Sequence, residues 1–210
     1  MSGARLEGMK VLVLTETEFI PGEMAYYRDN FPRLGASVDF ATNLWGQPSR
    51  TIVSDVTEPN EQSQTMQVNL DVGNLRYSDY DIIIQSANYT AVRLREIPPM
   101  HSHGSVAQTR DAPAVKLFAD AMRDKRIIKA AMCHGLWILT PCPELLIGRR
   151  VMCHTVVLAD INNAGAVYVP NEGEVIVDDD LVTARSFANV EGYFLAIVAA
   201  AEEPLRRTRS

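Results

Sequence analysis

Between Ile127 and Leu139 an apolar run enters a cysteine and leaves it again, as Ile127-Ile128-Lys129-Ala130-Ala131-Met132-Cys133-His134-Gly135-Leu136-Trp137-Ile138-Leu139. A strand that passes straight into an apolar helix must hold the residue at the turn in a strained conformation. Its neighbours must then be small enough for the two backbones to approach. Ala131 and Gly135 meet that requirement. The segment predicts a nucleophile elbow with Cys133 at its apex and the thiol at the start of a helix, where unpaired N–H groups and the macrodipole favour the thiolate.

The rest of the chain is consistent with such a turn at the edge of a parallel sheet. Apolar runs at 11–14, 38–41 and 82–84 recur with helical or loop material between them, the pattern of strands buried on both faces. Residues 23–31 place apolar side chains at helical spacing, and Gly35 supplies the stop before the second strand. Residues 44–80, rich in Gln, Ser, Thr, Asn and Asp, predict an excursion holding one or two small strands, with an alternating stretch from Met66 to Val72. A Pro, His, Gly and Ser-rich stretch at 98–113 predicts a surface loop ahead of a helix over 114–126. Strands are expected at 151–152, 166–169, 175–177 and 181–184, and a closing helix over 189–202. The expected fold is a flavodoxin-like α/β single domain over 1–210, a mostly parallel sheet with helices on both faces, with 1–9 and 204–210 as flexible ends.

Composition narrows the functional classes. The 210 residues suffice for one substantial core, and a net charge of -6 with 22% charged residues argues against a nucleic-acid surface. The longest apolar-rich tract, 193–201, is far short of the ~20 residues of a membrane-spanning helix. Cys133, Cys142 and Cys153 lack the spacing of a disulfide framework or of a Cys-x-x-Cys site, which fits reduced thiols in a cytoplasm, and no secretory signal is visible at the start.

A thiol nucleophile needs a proton partner, and the loops after neighbouring parallel strands are where one would stand. The loop after the first strand carries Glu16, Glu18 and Glu23. Here the sequence resembles the ThiJ/PfpI superfamily of class I glutamine amidotransferase-like proteins over nearly its whole length. Glu18-Phe19-Ile20-Pro21-Gly22-Glu23 is similar to that family's E-F-x-x-x-E loop, whose last glutamate contacts the cysteine. Ala131-Met132-Cys133-His134-Gly135 is similar to its elbow, and Ala159-Asp160-Ile161-Asn162-Asn163-Ala164-Gly165 to the tract following its third active-site position. That position falls on His154, where members like the parkinsonism-associated deglycase and glyoxalase III branch carry histidine and the protease-like branch carries tyrosine.

The resemblance implies Cys133, Glu23, His154 and His134 as catalytic residues. Backbone N–H groups of Ser86, Ala87 and Asn88, together with His134, would serve as an oxyanion or substrate-binding set. It also implies a homodimer, a small electrophilic substrate, and chemistry without cofactor or metal. Thr90 or Ala91 stands where the protease-like branch offers a glutamate to the neighbouring subunit, which disfavours peptidase activity. The implied reaction is conversion of a 2-oxoaldehyde to a 2-hydroxy acid through a hemithioacetal on Cys133, with Glu23 or His154 as base. Two other readings stand beside it: a redox-sensing or chaperone stress protein with an oxidisable Cys133, and a hydratase or biosynthetic enzyme acting on another small electrophile.

Overall fold

The computed structural model describes residues 5–56, 61–99, 101 and 103–207. In chain order the strands are β1 (Lys10–Leu14), β2 (Ser37–Thr42), β3 (Arg50–Val53), β4 (Thr65–Val68), β5 (Leu70–Asp71), β6 (Ile82–Gln85), β7 (Ile128–Met132), β8 (Arg150–Val151), β9 (Val167–Tyr168), β10 (Val175–Asp178) and β11 (Leu181–Ala184). The helices are α1 (Pro21–Arg33), α2 (Thr90–Leu94), α3 (Pro113–Met122), α4 (Leu158–Asn163) and α5 (Val190–Arg207).

Seven strands form the central sheet in the order β10-β11-β7-β6-β1-β2-β5, and only the β10–β11 pairing is antiparallel. The apolar runs are continuous because both faces are covered. Leu12, Leu14, Ile83 and Ala131 pack toward α3, while Val11, Val13, Ile82, Ile84, Ala130 and Met132 pack toward α1 and α5. Full burial of each of the larger of these side chains, the leucines, valines, isoleucines and methionine, contributes about 1.5–3 kcal/mol. This is the flavodoxin-like α/β architecture. The chain leaves β1 for β2 on one side and returns to β6 on the other, so the strand order reverses at β1. Open α/β sheets bind ligands outside the carboxyl ends of their strands at such a reversal point.

Local chemistry sets the element boundaries. Pro21 opens α1, where its missing N–H is an orphan in any case, and Gly35 closes the turn after it at φ 87°. The alternating stretch from Met66 divides after Val68. β4 pairs antiparallel with β3 in a separate hairpin, and β5 pairs parallel with β2 at the edge of the main sheet. Residues 5–9, expected as part of a flexible end, are docked: Leu6 is fully buried and its N–H donates to the Leu34 carbonyl at 2.8 Å. α5 likewise continues through 204–207.

Lys129 departs from the apolar pattern near the start of β7, yet it is fully buried. Its ammonium donates to the Asp124 carbonyl at 2.9 Å and pairs with the buried Asp180, which also holds Arg149 at 2.8 Å. The cation is thus compensated inside the core, at the end of β7 away from Cys133.

Candidate active site

Cys133 follows β7 with φ 59°, in the left-handed region that side chains rarely adopt. The elbow is built as its small neighbours require. A Cβ on Gly135 would lie 3.1 Å from the Gln85 carbonyl oxygen and 3.2 Å from the Ala131 Cβ, so β6, β7 and the turn meet at a point where only glycine fits without displacement.

The segment after the cysteine is not the expected apolar helix. It is a short 3-10 turn, Gly135–Leu139. An α-helical ladder would need the N–H of residue 141 to reach the Trp137 carbonyl, and residue 141 is proline. That carbonyl instead accepts from the Thr140 N–H at 3.2 Å, the Thr140 hydroxyl at 2.9 Å and the Arg95 guanidinium at 3.3 Å. A turn this short has little macrodipole to offer a thiolate. Burial accordingly pushes the Cys133 thiol above its ordinary value, and the charge of Glu23 adds to that. Backbone groups of Asn88 and His134 pull the other way; only a donor stabilises a thiolate, so these are N–H groups facing the sulfur.

Glu23, in the first turn of α1, is fully buried. The Ala87 N–H donates to both its oxygens, at 3.2 and 3.0 Å, and the Tyr27 hydroxyl donates to Oε1 at 2.9 Å. Burial dominates over these donors and raises the carboxyl to about 7. Tyr193 on α5 closes the same pocket from the other side and is itself fully buried.

The loop after β6 is arranged differently from the expected oxyanion set. The Ser86 N–H donates to the Leu14 carbonyl at 3.0 Å, completing the sheet, and the Ala87 N–H is occupied by Glu23. Neither is free to hold a developing anion. Asn88 remains: its backbone is left-handed, at φ 62°, and its side-chain amide donates to Asp55 at 2.7 Å. Asp55 lies just beyond β3, whose neighbour Ser54 bridges to Phe19, so the hairpin of the 44–80 excursion ties down the loop that faces the cysteine.

His134 is 7% exposed, and neither ring nitrogen has a hydrogen-bond partner among the described residues. Burial lowers its pKa, with a further contribution from His154, so the ring is neutral at pH 7. The His154 ring stands edge-on to it at 5.2 Å, and the His154 N–H donates to the Cys133 carbonyl at 3.1 Å. His154 Nδ1 accepts from the Val156 N–H at 3.2 Å, which leaves the ring proton of the neutral form on Nε2. Tyr89 and Trp137 complete an aromatic wall, at 5.2 and 5.3 Å from His134.

Cys133, Glu23, His134, His154 and the Asn88 amide therefore converge. Tyr27, Tyr193, Asp55, Tyr89 and Trp137 were not foreseen. Tyr27 had a signal, standing one helical turn after Glu23 on the same face; the others depend on tertiary packing. Cys153, adjacent in sequence to His154, is fully buried and its thiol is pushed up to about 12, chiefly by burial, as suits a core side chain. Among the described residues, no helix is long and apolar enough to cross a membrane.

Residues 103–200 match the DJ-1/PfpI family model. The fold is shared with a ThiJ/PfpI domain protein from Brachyspira murdochii at TM-score 0.73, with 13% identity over 96% of this chain and 99% of that one. Drosophila melanogaster DJ-1beta gives 0.68, with 14% identity over 95% and 97%. A two-domain protein from Anabaena variabilis, containing DJ-1/ThiJ/PfpI-like and ferritin-like domains, gives 0.70 with 20% identity over 91% of this chain. The present chain spans about half that protein's length, 47%. No match to a curated protein was found.

Proposed function

We propose that the whole chain is a DJ-1/PfpI-type protein and a cysteine-dependent enzyme that converts small 2-oxoaldehydes to 2-hydroxy acids by a glyoxalase III-like route. The observation that carries this reading is the pairing of a strained Cys133 with a fully buried Glu23 whose carboxyl has been raised to about 7. A group poised there can take a proton and return it at neutral pH.

The steps follow from these groups. The Cys133 thiol gives its proton to Glu23 as sulfur bonds to the aldehyde carbon of methylglyoxal. The oxygen of that carbonyl collects the electron pair against the Asn88 and His134 N–H groups and takes back the proton from Glu23, giving a hemithioacetal and an ionised Glu23. Glu23 removes the remaining hydrogen from that carbon, and an enediol forms. Return of a proton to the neighbouring carbon leaves a thioester, and one water releases lactate and the thiol. His154, with its ring proton on Nε2, is suited to donate to oxygen rather than to act as the base. The aromatic wall and the partial burial of Cys133 favour a small substrate. The raised thiol pKa weighs against the peroxide-sensor reading, which needs a standing thiolate.

The test is lactate formation from methylglyoxal, free of glutathione and after chelator treatment, by the wild type beside Cys133→Ala, Glu23→Ala and His154→Ala. Catalytic lactate that disappears in Cys133→Ala supports the reaction. Turnover no greater than that of the Cys133→Ala control overturns it.

A further inference from the structure

The Pro141 gap recruits Arg95, and this leaves a cation in an unusual position. Arg95 follows α2 and is half-buried. Its Nη1 is committed to the Thr140 hydroxyl at 2.6 Å and the Trp137 carbonyl at 3.3 Å. Nε and Nη2 make no hydrogen bond, and no carboxylate lies within ion-pair distance, among the described residues. Burial lowers the pKa of this guanidinium, whereas the surface arginines Arg5, Arg93 and Arg126 are raised by their carboxylate partners. Asp160 acts on it through space but makes no ion pair with it, and a desolvated cation with no carboxylate in contact is costly unless something anionic completes it.

Arg95 opens onto a cavity of about 910 Å³ between α2 and the Thr140–Pro143 turn, within the usual size range of small-molecule sites. Val92, Ile97, Val106, Pro141 and Pro143 supply apolar walls. The other charged groups on its lining are already engaged. Arg110 is held by Glu144 at 2.9 and 3.0 Å, and Glu96 accepts the His101 N–H at 3.0 Å. A smaller concavity on the other side shares Arg95, Val92, Thr140 and Pro143 and includes Trp137. Neither includes Cys133.

We propose that this cavity is a second ligand site, separate from the cysteine, that binds a small carboxylate with an apolar body, its anionic end held by Nε and Nη2 of Arg95. A guanidinium edge with two free donors matches a carboxylate in a two-pronged pair, and the proline and valine walls take the hydrocarbon.

Trp137 lines the adjoining concavity and its carbonyl is bonded to Arg95, so its fluorescence reports the site. Replacing the protein's other tryptophan, Trp45→Phe, isolates that signal. The probes are hexanoate and the uncharged hexanamide. The expected result is a saturable change with hexanoate, weakened at least ~tenfold for hexanamide and for Arg95→Met. Arg110→Met should leave it within ~twofold, as that guanidinium already has its carboxylate. No saturable response to ~10 mM hexanoate would overturn the proposal, since a pocket of this size should do better. Equal binding of the amide, or unchanged binding in Arg95→Met, would overturn it as well. Should Arg95→Met fail to fold, Ala107→Phe decides with Arg95 in place: Ala107 lines the cavity, so loss of hexanoate binding supports the site and unchanged binding rejects it.

Discussion

The backbone N–H of Ala87 donates to both carboxylate oxygens of Glu23, at 3.2 Å to Oε1 and 3.0 Å to Oε2. One amide, with the Tyr27 hydroxyl, is all that offsets complete burial of this carboxylate, and it does not suffice to keep the carboxyl near 4.5. The loop after β6 thus serves the Glu23 carboxylate through Ala87 and the Cys133 sulfur through Asn88. Two consecutive N–H groups have different tasks.

The raised carboxyl makes stability fall with pH. In the fold Glu23 keeps its proton to about 7, against 4.5 in the open chain, so its contribution is full below about 4.5 and is lost as pH rises to about 7. The loss amounts to about 3 kcal/mol. Urea unfolding of the wild type should show this decline between pH 4.5 and 8, and Glu23→Gln should lack that portion of it. An equal decline in the variant would assign the titration to another group.

The same value shapes the rate. Only ionised Glu23 can accept the thiol proton, so kcat/KM for methylglyoxal should rise with pH around an apparent midpoint near 7, a property of the Glu23–Cys133 pair. Glu23→Gln should lower it at least ~100-fold and remove that midpoint. A wild-type profile flat from pH 5 to 9 would exclude Glu23 as the base.

Strain at the elbow gives a prediction independent of substrate. Cys133 sits at φ 59°, a conformation that costs a side-chain-bearing residue roughly 1–2 kcal/mol and glycine almost nothing. Cys133→Gly should therefore be more stable than Cys133→Ala by about 1 kcal/mol, although glycine elsewhere at the end of a strand is the poorer residue. Both variants should be inactive. A less stable glycine variant would mean that the turn is not strained in solution.

Gly135→Ala tests the other half of the elbow. The added methyl would meet the Gln85 carbonyl and the Ala131 Cβ at 3.1 and 3.2 Å, and backbone cannot yield as a side-chain tip can. The expected cost is about 1–3 kcal/mol of stability, with loss of activity as the His134 N–H shifts. A neutral substitution would show that β6 and the turn are less closely apposed.

The elbow was legible from sequence because its requirement is local: Ala131 and Gly135 lie within two positions of Cys133. β1, β6 and β7 were legible because burial on both faces leaves continuous apolar runs. The 3-10 turn was less visible, although its cause, Pro141, stands in the sequence, because the apolar residues before it also suit a helix. The split of 66–72 depends on which partner each strand finds, and alternation is blind to that. Ser86 and Ala87 were misassigned as anion donors because the destination of a backbone N–H depends on neighbours remote in sequence, Leu14 and Glu23. The aromatic wall escaped for the same reason, with Tyr89 and Trp137 coming from different strand ends.

Lys129 is bonded at the end of β7 away from Cys133, so mutation can separate its part in the fold from the proposed reaction. Its buried ammonium faces Asp180, which is 2% exposed and also holds Arg149. Asp180→Asn leaves that ammonium with the Asp124 carbonyl and no carboxylate in contact, a defect worth about 3–5 kcal/mol. Lys129→Met with Asp180→Asn removes both buried charges while Arg149 keeps Asp178, so the double variant should recover much of the loss. Lys129 precedes Cys133 by roughly 13 Å of extended strand, with its side chain bonded at the opposite end of β7. kcat/KM of the folded fraction should accordingly stay within about twofold of the wild type, because ΔΔG terms from sites this far apart are close to additive. Chemical denaturation beside the lactate assay checks both statements. A double variant less stable than Asp180→Asn would show that Lys129 stabilises β7 by packing alone, and a large drop in its kcat/KM would show that the sheet transmits strain from this pair to the elbow.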